Sequence, residues 1–477
     1  MATWTRRVPG GYAVMLFALA AATILVAMPA GAEPAGQPDS RFDQIIRRNS
    51  HALLQQGRET FRFDTFGDEA FWGDTLGLHE AIAGAAHGGV GPGVSPRTAL
   101  AVGLKVDEDA LPPALAQGLR QGAVNLDAPA TTLALLRLDA VVGVKGFFDR
   151  SGNLKSVGIT CALCHSTVNN SLAPGIGQRL DGWANRDLNV GVIVSLAPNL
   201  QPVADLLSLA GKTVSVDDVK AVLASWGPGK FDAQIFLDGK AANPSAPAGV
   251  TSAATLIPPA YGLSGVNLHT STGWGSVTYW NAFVANLEMH GQGTFFDPRL
   301  NDRLQFPIAA GAGFGDVRSD RDLITPKLAA LSFYQLAIPA PEPAPGSFDR
   351  AAARRGEALF SGKAKCAACH VPPLFTEPGW NMHTAEELAI DDFQANRSPD
   401  KRYRTAPLKG LSGHWRHAQS ESGHWFYHDG RFQGSTPEQA LMATVRHYDV
   451  NGVGNHGIPL GLTPGEASDL VEYLKSL

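Results

Sequence analysis

Apolar side chains along this chain recur mostly three and four residues apart, which is the period of an amphipathic helix. In residues 41–56, for example, Phe42, Ile45, Ile46 and Leu53 would lie on one helical face. The same pattern predicts further helices over residues 112–122, 130–138, 202–225 (as two short helices), 283–290, 324–336 and 350–360. The hydrophobic pattern therefore predicts a mainly α fold with extensive loops and a few short strands.

A hairpin and a C-terminal helix are the most strongly marked local structures. Residues 144–148 and 154–160 flank a turn that ends at Gly152, as two short antiparallel strands would. Thr463 and Glu466 have the spacing of a capping box, and they predict a terminal helix that begins at Pro464. Ser347 is the predicted cap of the helix over residues 350–360. The predicted loops are residues 73–95, 240–276 and 295–321.

Two short stretches carry the candidate chemistry, because residues 161–165 read Cys-Ala-Leu-Cys-His and residues 366–370 read Cys-Ala-Ala-Cys-His. Cys-x-x-Cys-His is the attachment pattern of haem c, in which two thiols bond the porphyrin and the histidine binds the iron. The chain has four cysteines, and all of them lie in these two motifs. The predicted haem-binding residues are Cys161, Cys164 and His165 for haem 1 and Cys366, Cys369 and His370 for haem 2.

Two other kinds of site use paired cysteines. A thioredoxin-like redox pair needs a βαβ setting and has no need of a histidine behind both pairs. A zinc site built from four cysteines usually has its two pairs much closer in the chain. The repeated histidine favours two covalently bound haems over zinc or a disulfide. For His165, a carbonyl of the following loop, for example near Pro174, is expected to accept the Nδ1 proton.

Composition and segment boundaries indicate the kinds of partner, the cellular location and the domain organisation of the chain. The chain has 477 residues and a formal net charge of −5, which gives no basic surface for nucleic acid. Residues 1–32 have the charged start, short apolar run and small-residue end of a signal peptide, so no membrane span is expected after cleavage. The proline-rich residues 339–346 predict a linker between an N-terminal region with haem 1, residues 33–338, and a C-terminal cytochrome c domain with haem 2, residues 347–477.

The C-terminal half contains four further marked segments: Gly-Glu-Ala-Leu-Phe at 356–360, Tyr-Arg-Thr-Ala-Pro-Leu at 403–408, Phe-Tyr-His-Asp-Gly at 426–430 and Val-Arg-His-Tyr at 445–448. In these segments the chain resembles the bacterial di-haem cytochrome c peroxidase superfamily, which includes the tryptophan-oxidising enzyme of methylamine utilisation and the rubber oxygenases. In the N-terminal half, Tyr-Trp-Asn at 279–281 and Leu-Glu at 287–288 resemble a family stretch whose glutamine position is occupied here by His290.

The resemblance implies roles for individual residues. His165 and His370 would be the proximal iron ligands, and Trp280 would relay electrons between the haems. Glu288 and His290 would lie on the distal side of haem 1, where either could act as acid or base and the histidine could instead bind iron. For haem 2 the distal ligand would come from His447, with Tyr448 and Met442 as alternatives in that order. Thr405 and Pro407 match carbonyls that hold a calcium ion in the family.

These residues predict a periplasmic di-haem c-type cytochrome that passes electrons between its haems and activates peroxide or dioxygen at haem 1. The alternative is a pure electron-transfer cytochrome without a small-molecule substrate, which a histidine at position 290 would support. A third possibility is the oxidation of a polymer or a partner protein. The expected electron donor is a small periplasmic electron-transfer protein or a quinol-linked donor.

Overall fold

The structure, a computed structural model, describes residues 40–246, 251–452 and 459–477, and over these residues the protein is mainly helical. The mainly α prediction is therefore confirmed. The α-helices in the described ranges are Arg41–Phe63, Leu78–Ala83, Pro96–Ala101, Pro113–Arg120, Pro129–Arg137, Ala162–His165, Val190–Ser195, Gln201–Ser208, Val216–Trp226, Ile235–Asp238, Val277–Phe283, Pro307–Ala312, Leu328–Ala337, Arg350–Ser361, Phe393–Asn396, Pro437–Asn451 and Pro464–Lys475.

The strands are short and pair in twos. The predicted hairpin is present as Val144–Phe148 and Leu154–Ile159, an antiparallel pair that leads directly into the first Cys-x-x-Cys-His motif. The remaining strands are Val106–Asp107, Ser166–Val168, Ile176–Gly177, Arg179–Asp181, Lys230–Phe231, Thr255–Leu256, Thr294–Phe296 and Asp316–Arg318. Each of the five sheets in the described part of the chain therefore has only two strands.

All three segments predicted as loops contain regular structure. Residues 73–95 include the helix Leu78–Ala83, and residues 240–276 include the strand Thr255–Leu256. Residues 295–321 include the helix Pro307–Ala312, beside the paired strands Thr294–Phe296 and Asp316–Arg318. These elements are two to six residues long, which is too short for apolar periodicity to identify them. Their packing against the rest of the chain stabilises them instead.

The C-terminal region is held by two crossing helices. Arg350–Ser361 packs on Pro464–Lys475, and the crossing is so close that a Cβ on Gly356 would lie 2.1 Å from the carbonyl oxygen of Asp469. The predicted capping box of Thr463 and Glu466 is present. The predicted cap at Ser347 is wrong, because the side chain of Asp349 accepts the first backbone N–H groups of its helix.

Residues Met1–Asn49 and Ser50–Leu477 form separate units by their contacts, and both haem motifs lie in the second unit. The linker at 339–346 and the domain boundaries around it stay predictions. The predicted signal peptide, residues 1–32, lies outside the described residues. Among the residues that are described, none of the helices is both long and apolar enough to cross a bilayer.

A buried ion triad ties the segment after the second motif to the first half of the chain. The guanidinium of Arg397 lies 2.8 Å from a carboxylate oxygen of Asp238 and 3.0 Å from one of Asp232, and all three side chains are almost completely buried. Removing one member of such a group leaves uncompensated buried charge.

We expect Arg397→Met to lower the free energy of unfolding by about 3–5 kcal/mol, because two buried carboxylates would lose their shared cation. Thermal and denaturant unfolding of the holoprotein measure this loss. The exposed Lys240→Met is the matched control and should leave stability within about 0.5 kcal/mol of the wild type. A stable Arg397→Met protein would show that the triad contributes little.

Candidate functional site: one cavity reached by both haem motifs

One large cavity is lined by residues of both Cys-x-x-Cys-His motifs. Its volume is about 700 Å³, which is in the upper part of the range for cofactor and ligand sites. Aliphatic and aromatic side chains make up most of its wall, and a few polar groups interrupt them. The cavity therefore suits a large, flat and mostly apolar group that carries charge at one edge.

The first motif places a neutral imidazole at the cavity wall. The hairpin Val144–Phe148 and Leu154–Ile159 leads into the one-turn helix Ala162–His165. His165 Nδ1–H donates to the carbonyl oxygen of Pro258 at 3.1 Å, and burial lowers the pKa of His165 to about 4. The expectation of an acceptor near Pro174 is wrong. The acceptor comes from a segment distant in the chain, and it leaves Nε2 available for a metal.

The second motif is arranged in the same way. A 3₁₀ turn over Cys366–Ala368 precedes His370, whose Nδ1–H donates to the carbonyl oxygen of Phe375 at 3.2 Å. Burial again lowers the pKa of this histidine. All four cysteines are free of disulfide bonds, and burial raises the pKa of both Cys161 and Cys164 to about 12. Paired free thiols next to a neutral imidazole are the groups that haem c attachment requires.

Glu288 and His290 both line the cavity, as the resemblance predicts. Burial raises the pKa of Glu288 to about 8, with the nearby Asp232 acting in the same direction, so its carboxyl group holds a proton at neutral pH. His290 stacks on Phe71 with a centroid distance of 3.7 Å, and burial lowers its pKa to about 4. The wall therefore offers a protonated carboxyl group and a neutral imidazole.

Trp280 lines the cavity and continues into an aromatic cluster. Its ring stacks on Trp274 at a centroid distance of 5.3 Å, and its Nε1–H donates to the carbonyl oxygen of His269 at 3.2 Å. Trp274 in turn contacts Phe283 and Phe306. The indole of Trp280 is thus fixed in orientation by a hydrogen bond and a stacking contact.

One face of the helix Pro437–Asn451 closes the part of the cavity next to the second motif. That face presents Leu441, Thr444, Val445 and Tyr448, which follow the helical period. His447 and Met442 are on other faces. His447 Nε2–H donates to the carbonyl oxygen of Leu388 at 3.4 Å, and its Nδ1 accepts from Asn451 at 3.2 Å. Met442 packs in the C-terminal core. Of the three candidates, Tyr448 is the residue whose side chain lines the cavity.

Two arginines on the cavity wall, the buried Arg186 and the half-buried Arg404, could not be predicted from the sequence. Arg186 has Nε and Nη1 without hydrogen-bond partners, and its Nη2 lies 2.9 Å from Nδ1 of His414. Arg404 has an unpartnered Nε, and its Nη1 donates to the carbonyl oxygen of Leu268. Burial lowers the pKa of both guanidinium groups to about 10. Isolated arginines have no motif, so spacing along the chain could not identify them.

The predicted calcium residues lie beside a polar cluster. Thr405 donates from Oγ1 to Glu377, and its carbonyl oxygen accepts from the hydroxyl of Thr376. Pro407 lines the cavity. Glu377 also pairs with His383 at 2.7 Å, and these two groups lie near the sulfur of Cys369. That sulfur is predicted to bond haem 2, and calcium at Thr405 and Pro407 stays a prediction.

The residues around the cavity fit haem c at both motifs. Each motif supplies two free thiols and an imidazole whose Nδ1 is already hydrogen-bonded to a backbone carbonyl. The unpartnered N–H groups of Arg186 and Arg404 need anionic acceptors, because buried donors without partners are costly. Haem propionates are acceptors of the right charge for these two arginines.

The chain is similar to a curated peroxidase. It matches no protein-family model. It is 28% identical over 242 residues to the cytochrome-c peroxidase IdrP1 of Denitromonas iodatirespirans, a match that covers 43% of this chain and 63% of that protein. This similarity confirms the resemblance to di-haem cytochrome c peroxidases that the motifs predict. The match covers less than two thirds of the length of this relative.

Two solved structures are also similar to this chain. One is hydrazine synthase of Kuenenia stuttgartiensis, with 18% identity and a TM-score of 0.29 over 47% of this chain and 72% of that one. The other is a MauG-like protein associated with microbial copper homeostasis, with 16% identity and a TM-score of 0.29 over 51% of this chain and 79% of that one. A TM-score at this level does not establish a common overall fold.

Proposed function

We propose that this protein is a periplasmic di-haem c-type cytochrome with peroxidase-like activity, which reduces peroxide at haem 1 and receives electrons through haem 2. The observation that supports this most directly is the single cavity that both Cys-x-x-Cys-His motifs and the protonated carboxyl group of Glu288 line. The similarity to a cytochrome-c peroxidase supports the reaction class. The predicted signal peptide supports the location, because haem c is attached outside the bacterial cytoplasm.

When bound, haem supplies the iron at which the O–O bond of peroxide is cleaved. His165 and His370 would hold the two irons, and the carbonyl groups of Pro258 and Phe375 fix the orientation of these imidazoles. Glu288 would hold a proton on its carboxyl group and supply it to peroxide in the cavity. His290, held against Phe71, adds a neutral imidazole to the cavity wall. The apolar wall excludes bulk water from this step.

Trp280 is proposed to connect the two halves of the cavity electronically. It lines the cavity and stacks on Trp274, and its position is fixed by the hydrogen bond to His269. The proposed donor of electrons is a small periplasmic electron-transfer protein or a quinol-linked donor. Peroxide is the proposed oxidant.

The test of the proposed function is catalytic and spectroscopic. Purified protein with both haems should consume hydrogen peroxide when a reduced donor is supplied, and carbon monoxide should bind one haem per chain. A pure electron carrier is the second candidate, and His290 on the cavity wall supports it because an imidazole there could close the sixth position. Two haems that stay inert to carbon monoxide and peroxide, even when half-reduced, would favour that carrier.

For the distal ligand of haem 2 we propose Tyr448 in place of His447. Support comes from the helix face, because Tyr448 lines the cavity whereas His447 is hydrogen-bonded to Leu388 and Asn451. Coulombic interaction with Cys366 and Cys369 contributes to the raised pKa of Tyr448, about 12, although burial is the main cause. This interaction with the two cysteines supports Tyr448 as the ligand at the second motif.

We expect Tyr448→Phe to abolish the charge-transfer absorption of a ferric phenolate-ligated haem and to make haem 2 five-coordinate or open to carbon monoxide. Phenylalanine keeps the ring and removes the ligating oxygen. Absorption, EPR and resonance Raman spectra of the ferric protein measure this. His447→Gln is the matched variant and should keep the phenolate charge-transfer absorption. The reverse result would restore His447 as the ligand.

A further inference from the structure

Tyr427 has a backbone conformation that a bulky side chain rarely adopts. Its φ angle is +75°, in the left-handed region that favours glycine. It lies in the Phe-Tyr-His-Asp-Gly segment at 426–430. In this segment Phe426 pairs with Phe432 through their backbones, and Gly430 also has a positive φ angle. A strained tyrosine is kept only where surrounding structure holds it, and such residues concentrate at functional sites.

The surroundings of Tyr427 fix its ring in one place. Phe432 packs edge-on to the ring at a centroid distance of 5.2 Å, and His447 does so at 6.4 Å. Arg431 lies over the ring at 5.8 Å, and Asp429 and Asp391 hold that guanidinium. Both the ring and its phenol group are therefore held by contacts on several sides.

The phenol group of Tyr427 meets that of Tyr448. The two Oη atoms are 3.4 Å apart, with Tyr448 donating to Tyr427 when both are phenols. Both groups line the cavity. If Tyr448 binds iron as a phenolate, it has no proton left to donate, and the hydrogen bond between these oxygens then has Tyr427 as its donor.

We propose that Tyr427 is a positioning residue for haem 2, which donates a hydrogen bond to the iron-binding oxygen of Tyr448 and thereby sets the reduction potential of that haem. The inference rests on the ligand assignment proposed above. The strained backbone of Tyr427 holds the donor in place before the haem is bound, so that no rearrangement is needed. His447 then acts as a wall for the Tyr427 ring, since its own nitrogens face Leu388 and Asn451.

The direction in which Tyr427 changes the reduction potential of haem 2 follows from the negative charge of the phenolate ligand. A phenolate ligand stabilises ferric iron by donating electron density, and hydrogen bonds to a ligating atom tune potential in iron sites generally. A hydrogen bond to the phenolate oxygen withdraws part of that density. Tyr427 should therefore raise the potential of haem 2 relative to an unassisted phenolate, which keeps the haem reducible by its electron donor.

We expect Tyr427→Phe in the di-haem protein to lower the reduction potential of haem 2 while Tyr448 remains bound. Spectroelectrochemical titration measures the potential, and resonance Raman bands of the phenolate report whether Tyr448 is still a ligand and whether its C–O vibration has shifted. Tyr473→Phe is the matched control, because Tyr473 is also buried in the C-terminal core and packs on Phe360 and Phe375. It should change neither quantity.

Each outcome decides a separate point. An unchanged potential and unchanged phenolate bands in Tyr427→Phe, or an equal shift in Tyr473→Phe, would overturn the role of Tyr427. If Tyr448→Phe leaves the spectrum of haem 2 unaltered, Tyr448 is not the ligand and the role of Tyr427 fails with it. Peroxide turnover of the wild type tests the proposed function separately. If Tyr427→Phe does not fold, the wild-type protein exchanged into deuterated water tests the hydrogen bond instead. ENDOR should then detect an exchangeable deuteron near the ligating oxygen of Tyr448. The absence of that deuteron would overturn the proposal.

Discussion

Replacing Cys161 and Cys164 together by alanine should remove one of the two covalently bound haems and abolish peroxide turnover. Without both thiols the porphyrin has no thioether bonds, and the imidazole of His165 alone would hold it weakly at the cavity wall. Denaturing gels stained for haem, intact mass and the pyridine haemochrome assay measure the attached haem. We expect about half of the wild-type haem per chain, because the second motif is unaltered.

The reciprocal variant separates the two sites. Cys366→Ala with Cys369→Ala should also keep half of the haem but should leave the carbon monoxide-binding haem in place. Four alanines should leave none. A wild-type protein that carries zinc or a disulfide, and no haem after maturation in a host that attaches haem c, would contradict the cofactor assignment and everything built on it.

Glu288→Gln should slow peroxide turnover by about 10²- to 10⁴-fold, which is the usual contribution of a positioned acid–base group. Glutamine has nearly the same size and keeps the pocket filled, but it has no proton to transfer at the carboxyl position. Because burial raises the pKa of Glu288 to about 8, the wild-type group holds its proton at neutral pH and is ready to deliver it. Stopped-flow measurement of peroxide consumption tests this expectation.

The control for this variant is Glu342→Gln, an exposed residue of the same type, which should turn over at the wild-type rate. Haem content and the ferric EPR spectrum of Glu288→Gln should match those of the wild type, so that a lower rate cannot come from lost cofactor. A variant with full activity would exclude Glu288 as the proton donor and leave His290 as the next residue to replace.

The parts of this protein that could be predicted are those that a local pattern encodes. The hairpin before Cys161 follows from alternation and a glycine turn, and the last helix follows from the capping box at Thr463. Both haem motifs follow from five consecutive residues each. Helix Leu78–Ala83 could not be predicted, because six residues hold less than two turns of periodicity.

The features of the site that the sequence did not predict depend on contacts between segments that are distant in the chain. The partner of His165 is Pro258, in a stretch whose composition indicates only loop. Arg186 and Arg404 are single arginines without a motif, and only the fold brings them to one cavity wall. Choosing among His447, Tyr448 and Met442 required the direction of each side chain from the helix Pro437–Asn451, which depends on how the whole helix is rotated against the cavity.

The long-range contacts of the first motif also constrain the order in which the protein matures. The acceptor for His165 lies in residue 258, and the carbonyl oxygen of Arg186 is held by the hydroxyl groups of Ser420 and Ser422 from beyond the second motif. On the proposed export route, the emerging chain presents Cys161 and Cys164 to the haem-attachment machinery long before the segments that enclose them exist. If haem is attached at the first motif as proposed, its enclosure must wait for nearly the whole polypeptide, and C-terminal truncations should yield haem-loaded but unprotected chains.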